Sequence, residues 1–183
     1  MIPVFEGLEP YLRWHVKGLP VKPPQTVAVL QKSLNEQLVK DGRGFVGAIG
    51  FSQGAKVVAG LLLEQQVRQR REGVDGREGF LFGVMFNGTT PPLTAGLEEE
   101  EEAERIEVPS LHVLGRDDPW REEGLQMFEK HFDPKTATLM EFPVEHRLPL
   151  LAEHTAKVTS EILSMYRESA GGRQMGLSPF LEG

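Results

Sequence analysis

Apolar residues in this chain recur with two different periods, which predict alternating helices and buried strands. Apolar positions spaced three and four residues apart predict four helices, over residues 26–40, 55–70, 125–132 and 150–166. Short, nearly continuous apolar runs predict four strands, over residues 45–49, 80–86, 110–114 and 136–142. Continuous apolar runs are typical of strands buried on both faces. The expected fold is therefore α/β, with a mostly parallel sheet covered by helices on both faces.

Length and composition limit the classes of protein to consider. A chain of 183 residues is expected to form one domain. We assign this domain to residues 1–169 and expect residues 170–183 to be a disordered tail. No apolar run reaches the roughly 18 residues of a membrane span, and the chain does not open like a secretory signal. Because the chain has no cysteine, disulfides, Cys-based metal sites and thiol catalysis are excluded. We expect a cytoplasmic protein that does not bind membranes.

Charge is concentrated in one acidic run. The chain has 27 Asp and Glu against 20 Lys and Arg, and six of the acidic residues lie at residues 98–102 and at Glu104. We expect this run to be a solvated, disordered surface loop without a catalytic role, with a functional acidic patch as the alternative. Basic residues cluster only at Arg68, Arg70 and Arg71, so nucleic acid is not expected as a partner.

The first motif that indicates chemistry follows the strand predicted at residues 45–49. Gly50, Ser52 and Gly54 match the G-x-S-x-G pattern of a nucleophile elbow, in which a sharp turn between a strand and a helix exposes a serine hydroxyl. A helix is predicted directly after this pentapeptide, which is the setting that the motif requires. The alternative is a glycine-rich turn in which Ser52 only caps the helix.

A serine nucleophile needs a histidine base and a carboxylate that orients the histidine, in the chain order Ser, acid, His. Asp117 and Asp118 follow the third predicted strand, at the edge of the sheet that carries Ser52. We assign the orienting role to Asp118 and keep Asp117 as the alternative, because an Asp before Pro119 is also a good helix cap. His146 follows the fourth predicted strand and is the expected base; an exposed loop histidine is the alternative interpretation.

An oxyanion hole requires two backbone N–H donors. The residue after the nucleophile, Gln53, is expected to supply one of them. No candidate for the second donor is found, because nothing before Phe45 has the pattern of a strand followed by a glycine-bearing loop. This arrangement needs no metal and no cofactor.

Three segments resemble the small serine hydrolases of the FSH family, which are common in fungi: GFSQGA at residues 50–55, LHVLGRDD at residues 111–118 and HRLP at residues 146–149. The resemblance covers residues 14–166. It implies an α/β-hydrolase-like fold with Ser52 as nucleophile, Asp118 as acid and His146 as base. It also implies an esterase or thioesterase for a small acyl substrate, including acyl chains bound to carrier proteins in polyketide-type secondary metabolism. The alternative is a non-catalytic hydrolase-fold protein that binds an acyl ligand or a partner.

The chain departs from the family pattern at two places. Val144 and Glu145 stand where the family usually has two glycines before the histidine. The family's opening strand and its Leu-His-Gly turn, which supply the second oxyanion donor, have no counterpart. The domain is therefore expected to be N-terminally incomplete, and residues 45–49 are expected to form an unprotected sheet edge.

Overall fold

A parallel four-stranded sheet forms the centre of the fold. The computed structural model describes Trp14 and residues 22–41, 44–73 and 79–170. The strands, in spatial as well as chain order, are β1 (Gly47–Phe51), β2 (Phe82–Phe86), β3 (Ser110–Gly115) and β4 (Ala137–Phe142). All three neighbouring pairs are parallel, which confirms the predicted sheet.

In the part of the chain that the structure describes, the strands are accompanied by five helices: α1 (Pro24–Asp41), α2 (Gln53–Glu72), α3 (Glu99–Glu102), α4 (Arg121–His131) and α5 (Ala152–Ala170). Four of them match the predicted helices, but α4 begins four residues earlier than predicted because its first turn is polar and carries no apolar signal. The tail expected at residues 170–183 starts with the last residue of α5, and the rest of it lies outside the described residues.

Helices cover both faces of the sheet, as predicted. On one face, α2 and α4 contribute buried residues such as Leu62 and Met127 to a cluster that includes Met85 of β2. On the other face, α5 packs Val158 and Met165 into a cluster with Leu111 of β3. Because helices cover both faces, the strands are largely apolar, although β3 carries Ser110 and His112 and β4 carries Glu141.

The first strand lies two residues further along the chain than predicted and runs directly into Ser52. Its register with β2 pairs Gly47 with Phe82 and Phe51 with Phe86, so the ladder continues to the residue before the serine. Within the described residues β1 has a neighbouring strand on one side only, and Ile49 is 62% exposed.

The acidic run is ordered, which corrects the expectation of a disordered loop. Glu98 begins the single-turn helix α3 with a capping box: its side chain accepts a backbone N–H of the first turn, and Glu101 accepts the Glu98 backbone N–H. Glu101 also pairs with Arg71 of α2, and Glu104 pairs with Arg70. The basic residues of α2 therefore neutralise part of the run.

None of the helices within residues 22–41, 44–73 and 79–170 combines the length and the apolar character needed to cross a membrane.

Candidate active site

Ser52 occupies a strained turn between β1 and α2. Its φ of 53° lies in the left-handed region, which non-glycine residues rarely adopt, and its backbone N–H donates to the Phe86 carbonyl at 2.9 Å. A Cβ at Gly50 would overlap the backbone of Gly54 and Ala55, so the turn requires glycine at that position. Ser52 occupies the N-cap position of α2, but its side chain makes no helix-capping hydrogen bond.

The structure brings Ser52, His146 and Asp118 into one line of hydrogen bonds. Ser52 Oγ lies 2.9 Å from His146 Nε2, and His146 Nδ1 lies 2.7 Å from Asp118 Oδ2. The Asp118 side chain is 2% exposed and the His146 side chain 22% exposed. The acid is therefore shielded from water, while the imidazole remains reachable from the solvent.

The two oxygens of Asp118 have different partners. Oδ2 faces His146, and Oδ1 accepts the backbone N–H of Trp120 at 2.8 Å. The helix-start role and the orienting role expected for this residue are therefore compatible, although the residue at the cap position of α4 is Trp120. Asp117, the alternative acid, is exposed and lines the cleft in front of Ser52.

Two aromatic rings flank the His146 imidazole. The Phe51 ring lies 5.0 Å away and the Trp120 ring lies 4.7 Å away, centroid to centroid. Sequence analysis missed both residues; their signal is position, since one directly precedes the nucleophile and the other follows the acid by two residues. The rings restrict the imidazole on two sides while Asp118 holds its Nδ1.

The cleft in front of the serine has a volume of about 770 Å³. This volume is in the range typical of small-molecule sites. The cleft is lined by polar Gln53 and Thr89, by apolar Pro119 and Trp120, and by the charged residues Asp117, Glu145 and Arg147. Glu145 is one of the two residues that replace the family's glycines, so this departure places a carboxylate at the cleft.

Gln53 is the first residue of α2, so its backbone N–H lies at a helix N-terminus, where the helix dipole favours negative charge. A second oxyanion donor remains unassigned among the residues that the structure describes. Across this part of the chain, no three His, Asp or Glu side chains converge in a way that would hold a metal ion.

The other described histidines lie away from this line. His112 of β3 is buried between the Phe128 and Phe132 rings, and burial lowers its pKa to about 3. Its Nε2 has no hydrogen-bond partner. His131 and His154 lie on α4 and α5, as predicted. His15 is outside the described residues.

Sequence analysis also missed Asn87, which follows β2. It is 2% exposed and has a φ of 44°. Its side chain accepts the Gly115 backbone N–H at 2.8 Å and donates to the Arg147 carbonyl at 3.1 Å. An Asn-Gly pair after a strand predicts only a turn. The signal that would have found Asn87 is its place at the carboxyl edge of a parallel strand, where the other site residues lie.

A family model described as serine hydrolase (FSH1) matches residues 8–158. Esterase FUS5 of Gibberella fujikuroi is 30% identical over 92% of this chain and 68% of its own length. Thioesterase FSL2 of Gibberella zeae is 23% identical over 91% of this chain and 73% of its own length. A solved structure, the monoacylglycerol lipase of Paleococcus ferrophilus, aligns over 78% of this chain and 76% of the lipase, with 16% identity and a TM-score of 0.48. The chain spans between 51% and 73% of the length of the curated relatives that it matches.

Proposed function

This chain belongs to the FSH1 family of serine hydrolases, and from that premise we propose that it cleaves an ester or thioester of an acyl chain through an acyl-enzyme on Ser52. In this proposal Ser52 is the nucleophile, His146 the general base and Asp118 the residue that orients the base. The observation that carries the proposal is the continuous line of hydrogen bonds from Ser52 Oγ through the His146 ring to Asp118, at 2.9 and 2.7 Å.

In the acylation step, Ser52 Oγ attacks the carbonyl carbon of the substrate, and its proton passes to His146 Nε2. Asp118 accepts the Nδ1–H, which keeps Nε2 free to accept the proton and stabilises the imidazolium that forms. The negative charge that develops on the carbonyl oxygen is stabilised by the Gln53 backbone N–H at the start of α2. When the tetrahedral intermediate collapses, His146 Nε2–H protonates the departing alcohol or thiol.

In the deacylation step, water takes the place of the leaving group. His146 Nε2 accepts a proton from the water, whose oxygen attacks the acyl carbon. When the resulting intermediate collapses, the bond between the acyl carbon and Ser52 Oγ breaks, His146 Nε2–H protonates Oγ, and the acid is released. The exposed side of the imidazole gives water access to Nε2. One oxyanion donor typically contributes about 10² to 10³ in rate. The second donor is therefore needed for full activity, and its source is open.

The lining of the cleft supports a partly apolar acyl group, because Pro119 and Trp120 line it together with the charged residues Asp117, Glu145 and Arg147. We propose an alcohol or a thiol as the leaving group, including the phosphopantetheine thiol of a carrier protein in polyketide-type secondary metabolism. The thioester part of this proposal is supported by the similarity to a protein named as a thioesterase. A cytoplasmic location stays a prediction, which microscopy of the tagged full-length protein tests.

The test is turnover of p-nitrophenyl butyrate and of butyryl N-acetylcysteamine, with Ser52→Ala as the control. We expect turnover of at least one substrate by the wild-type chain, its loss in Ser52→Ala, and covalent labelling of Ser52 by a fluorophosphonate probe. A folded protein that neither labels nor turns over would instead support the alternative, a hydrolase-fold protein that only binds an acyl ligand or a partner.

A further inference from the structure

The loop that carries His146 has to cross the sheet. His146 follows β4 and Ser52 follows β1, and within the described residues these are the first and last strands of the sheet order. With neighbouring strands about 4.8 Å apart, the two strand ends are about 14 Å from each other. The loop therefore passes over the ends of β3 and β2 before the imidazole reaches the serine.

The start of this crossing is fixed by the loop after β3. The backbone N–H groups of Arg116 and Asp117 donate to the carbonyls of Phe142 and Val144, at 2.8 and 3.2 Å. A Cβ at Gly115 would overlap the carbonyl oxygens of Val144 and Glu145, so the two loops are in direct contact there. These contacts extend to Glu145, the residue directly before His146 on the side of β4.

Asn87 fixes the crossing on the far side of His146. Its Nδ2 donates to the carbonyl of Arg147, the residue directly after the histidine, and its Oδ1 accepts the N–H of Gly115, the last residue of β3. An amide is the side chain that offers a donor and an acceptor at once. Its backbone N–H is bonded to the Val113 carbonyl at 2.8 Å, so the group that joins the two loops is itself anchored.

We propose that Asn87 is a positioning residue for catalysis, which sets the distance between the loop of Asp118 and the loop of His146. The proposal rests on the proposed function, since it assigns to Asn87 an effect on the proposed catalytic histidine. Losing the Nδ2 donor would free the Arg147 carbonyl, and losing Oδ1 would release the amide from the Gly115 N–H. Either loss breaks the link between the two loops and lets the imidazole move relative to Ser52 Oγ and Asp118. A displacement of about 1 Å can lower a rate about 10²-fold.

Gln65 provides a matched control. It is also a buried amide, 5% exposed against 2% for Asn87, and it also joins two backbone groups: it donates to the Phe80 carbonyl at 2.9 Å and accepts the Phe80 N–H at 2.7 Å. Phe80 precedes β2, whereas Asn87 follows it, so the two amides are separated by about 23 Å of extended chain. A general loss of stability would affect variants of both Asn87 and Gln65, whereas a displacement of His146 would affect only variants of Asn87.

The experiment compares Asn87→Asp, Asn87→Gly and Gln65→Glu with the wild-type chain. Asn87→Asp and Gln65→Glu each replace an N–H donor with an oxygen of the same shape. Asn87→Gly removes the side chain without adding charge and tolerates the left-handed backbone. We expect kcat to fall 10- to 100-fold in both Asn87 variants with KM changed less than threefold, and to stay within twofold in Gln65→Glu. Rates are expressed per active site titrated with the fluorophosphonate probe.

A second readout does not depend on turnover. The proton between His146 Nδ1 and Asp118 is expected to give a low-field ¹H NMR signal in the wild type and in Gln65→Glu, and to lose it or shift it in Asn87→Gly. Wild-type kcat in Asn87→Gly, or an equal loss in Gln65→Glu, would overturn the proposal. If the wild type shows no Ser52-dependent turnover, the proposed function fails and the NMR signal alone decides: retention in Asn87→Gly overturns the positioning role and loss supports it.

Discussion

Asp118→Asn tests the line of hydrogen bonds where the structure constrains it most. The new amide can adopt two orientations in the same space. In the first, its oxygen accepts the Trp120 N–H, as Asp118 Oδ1 does at 2.8 Å, and its NH₂ group faces His146 Nδ1. In the second, its oxygen faces His146 and its NH₂ group faces the Trp120 N–H. The second orientation sets two donors against each other in a buried place, which costs about 1–3 kcal/mol.

The backbone of Trp120 therefore selects the orientation that harms catalysis. An NH₂ group that donates to Nδ1 requires the proton of the neutral imidazole on Nε2, where it blocks transfer from Ser52. A preference of about 1–3 kcal/mol leaves the productive orientation about 5- to 140-fold less populated. The variant also loses the carboxylate charge that stabilises the imidazolium. Together these effects predict a loss in kcat of about 10³ to 10⁴, and the same change in a serine protease costs about 10⁴.

The assay is hydrolysis of p-nitrophenyl butyrate at pH 7.5, with urea unfolding to show that the variant is folded. Asp117→Asn is the matched control, because Asp117 is the adjacent residue and is exposed. This variant should lose less than threefold in kcat. If Asp118→Asn retains more than a tenth of wild-type kcat, or if Asp117→Asn loses as much, the assignment of the acid is wrong.

Three further predictions concern the elbow, a buried histidine and the acidic run. Gly50→Ala should lower both the urea midpoint and kcat, because its Cβ would overlap the Gly54 and Ala55 backbone. Gly54→Ala should keep both values, because its Cβ meets open space among the described residues. Similar behaviour of the two variants would contradict the predicted elbow. The pKa of His112 is about 3 in the folded state, against an ordinary value of 6.5, so the unfolded chain binds an extra proton between these values. The stability contributed by the neutral His112 is therefore complete above pH 6.5. As the pH is lowered from 6.5 to 5, the free energy of unfolding decreases by roughly 2 kcal/mol. Urea unfolding of His112→Leu should lack this part of the pH dependence, and parallel curves for variant and wild type would contradict it. Replacing residues 98–102 by serine should change turnover of a neutral ester less than threefold, because exposed charges are screened beyond about 8 Å; a larger, salt-sensitive loss would indicate a docking patch.

The sequence predicts the elements of this fold better than their arrangement. Four apolar runs identify the strands, because strands covered on both faces are largely apolar, and single polar residues such as Ser110 and Glu141 do not hide the pattern. The runs do not show where pairing ends: β1 was predicted at residues 45–49, while pairing with β2 extends it to Phe51. The acidic run was expected to be disordered because its partners, Arg70 and Arg71, lie about 30 residues earlier on α2, and no local pattern indicates that contact.

For the candidate site, the motifs identify residues whose chemistry is specific, and they miss residues whose contribution is geometric. Serine, histidine and aspartate in a fixed chain order indicate a reaction, so Ser52, Asp118 and His146 could be singled out before the structure. Asn87 has no such signature, because an asparagine before a glycine predicts only a turn. Its relevance depends on the order of the strands, which the chain alone does not provide.

The order of the strands gives each strand end a separate part in the proposed site. All four strands are parallel, so their carboxyl ends meet at one edge, with the nucleophile after β1, the acid after β3 and the base after β4. The end of β2 lies between the nucleophile and the acid and under the path of the loop that returns from β4. A side chain at this position can contact both loops without occupying the cleft. This geometry explains why Asn87, a buried amide with two side-chain hydrogen bonds, lies at a position that no catalytic sequence motif marks.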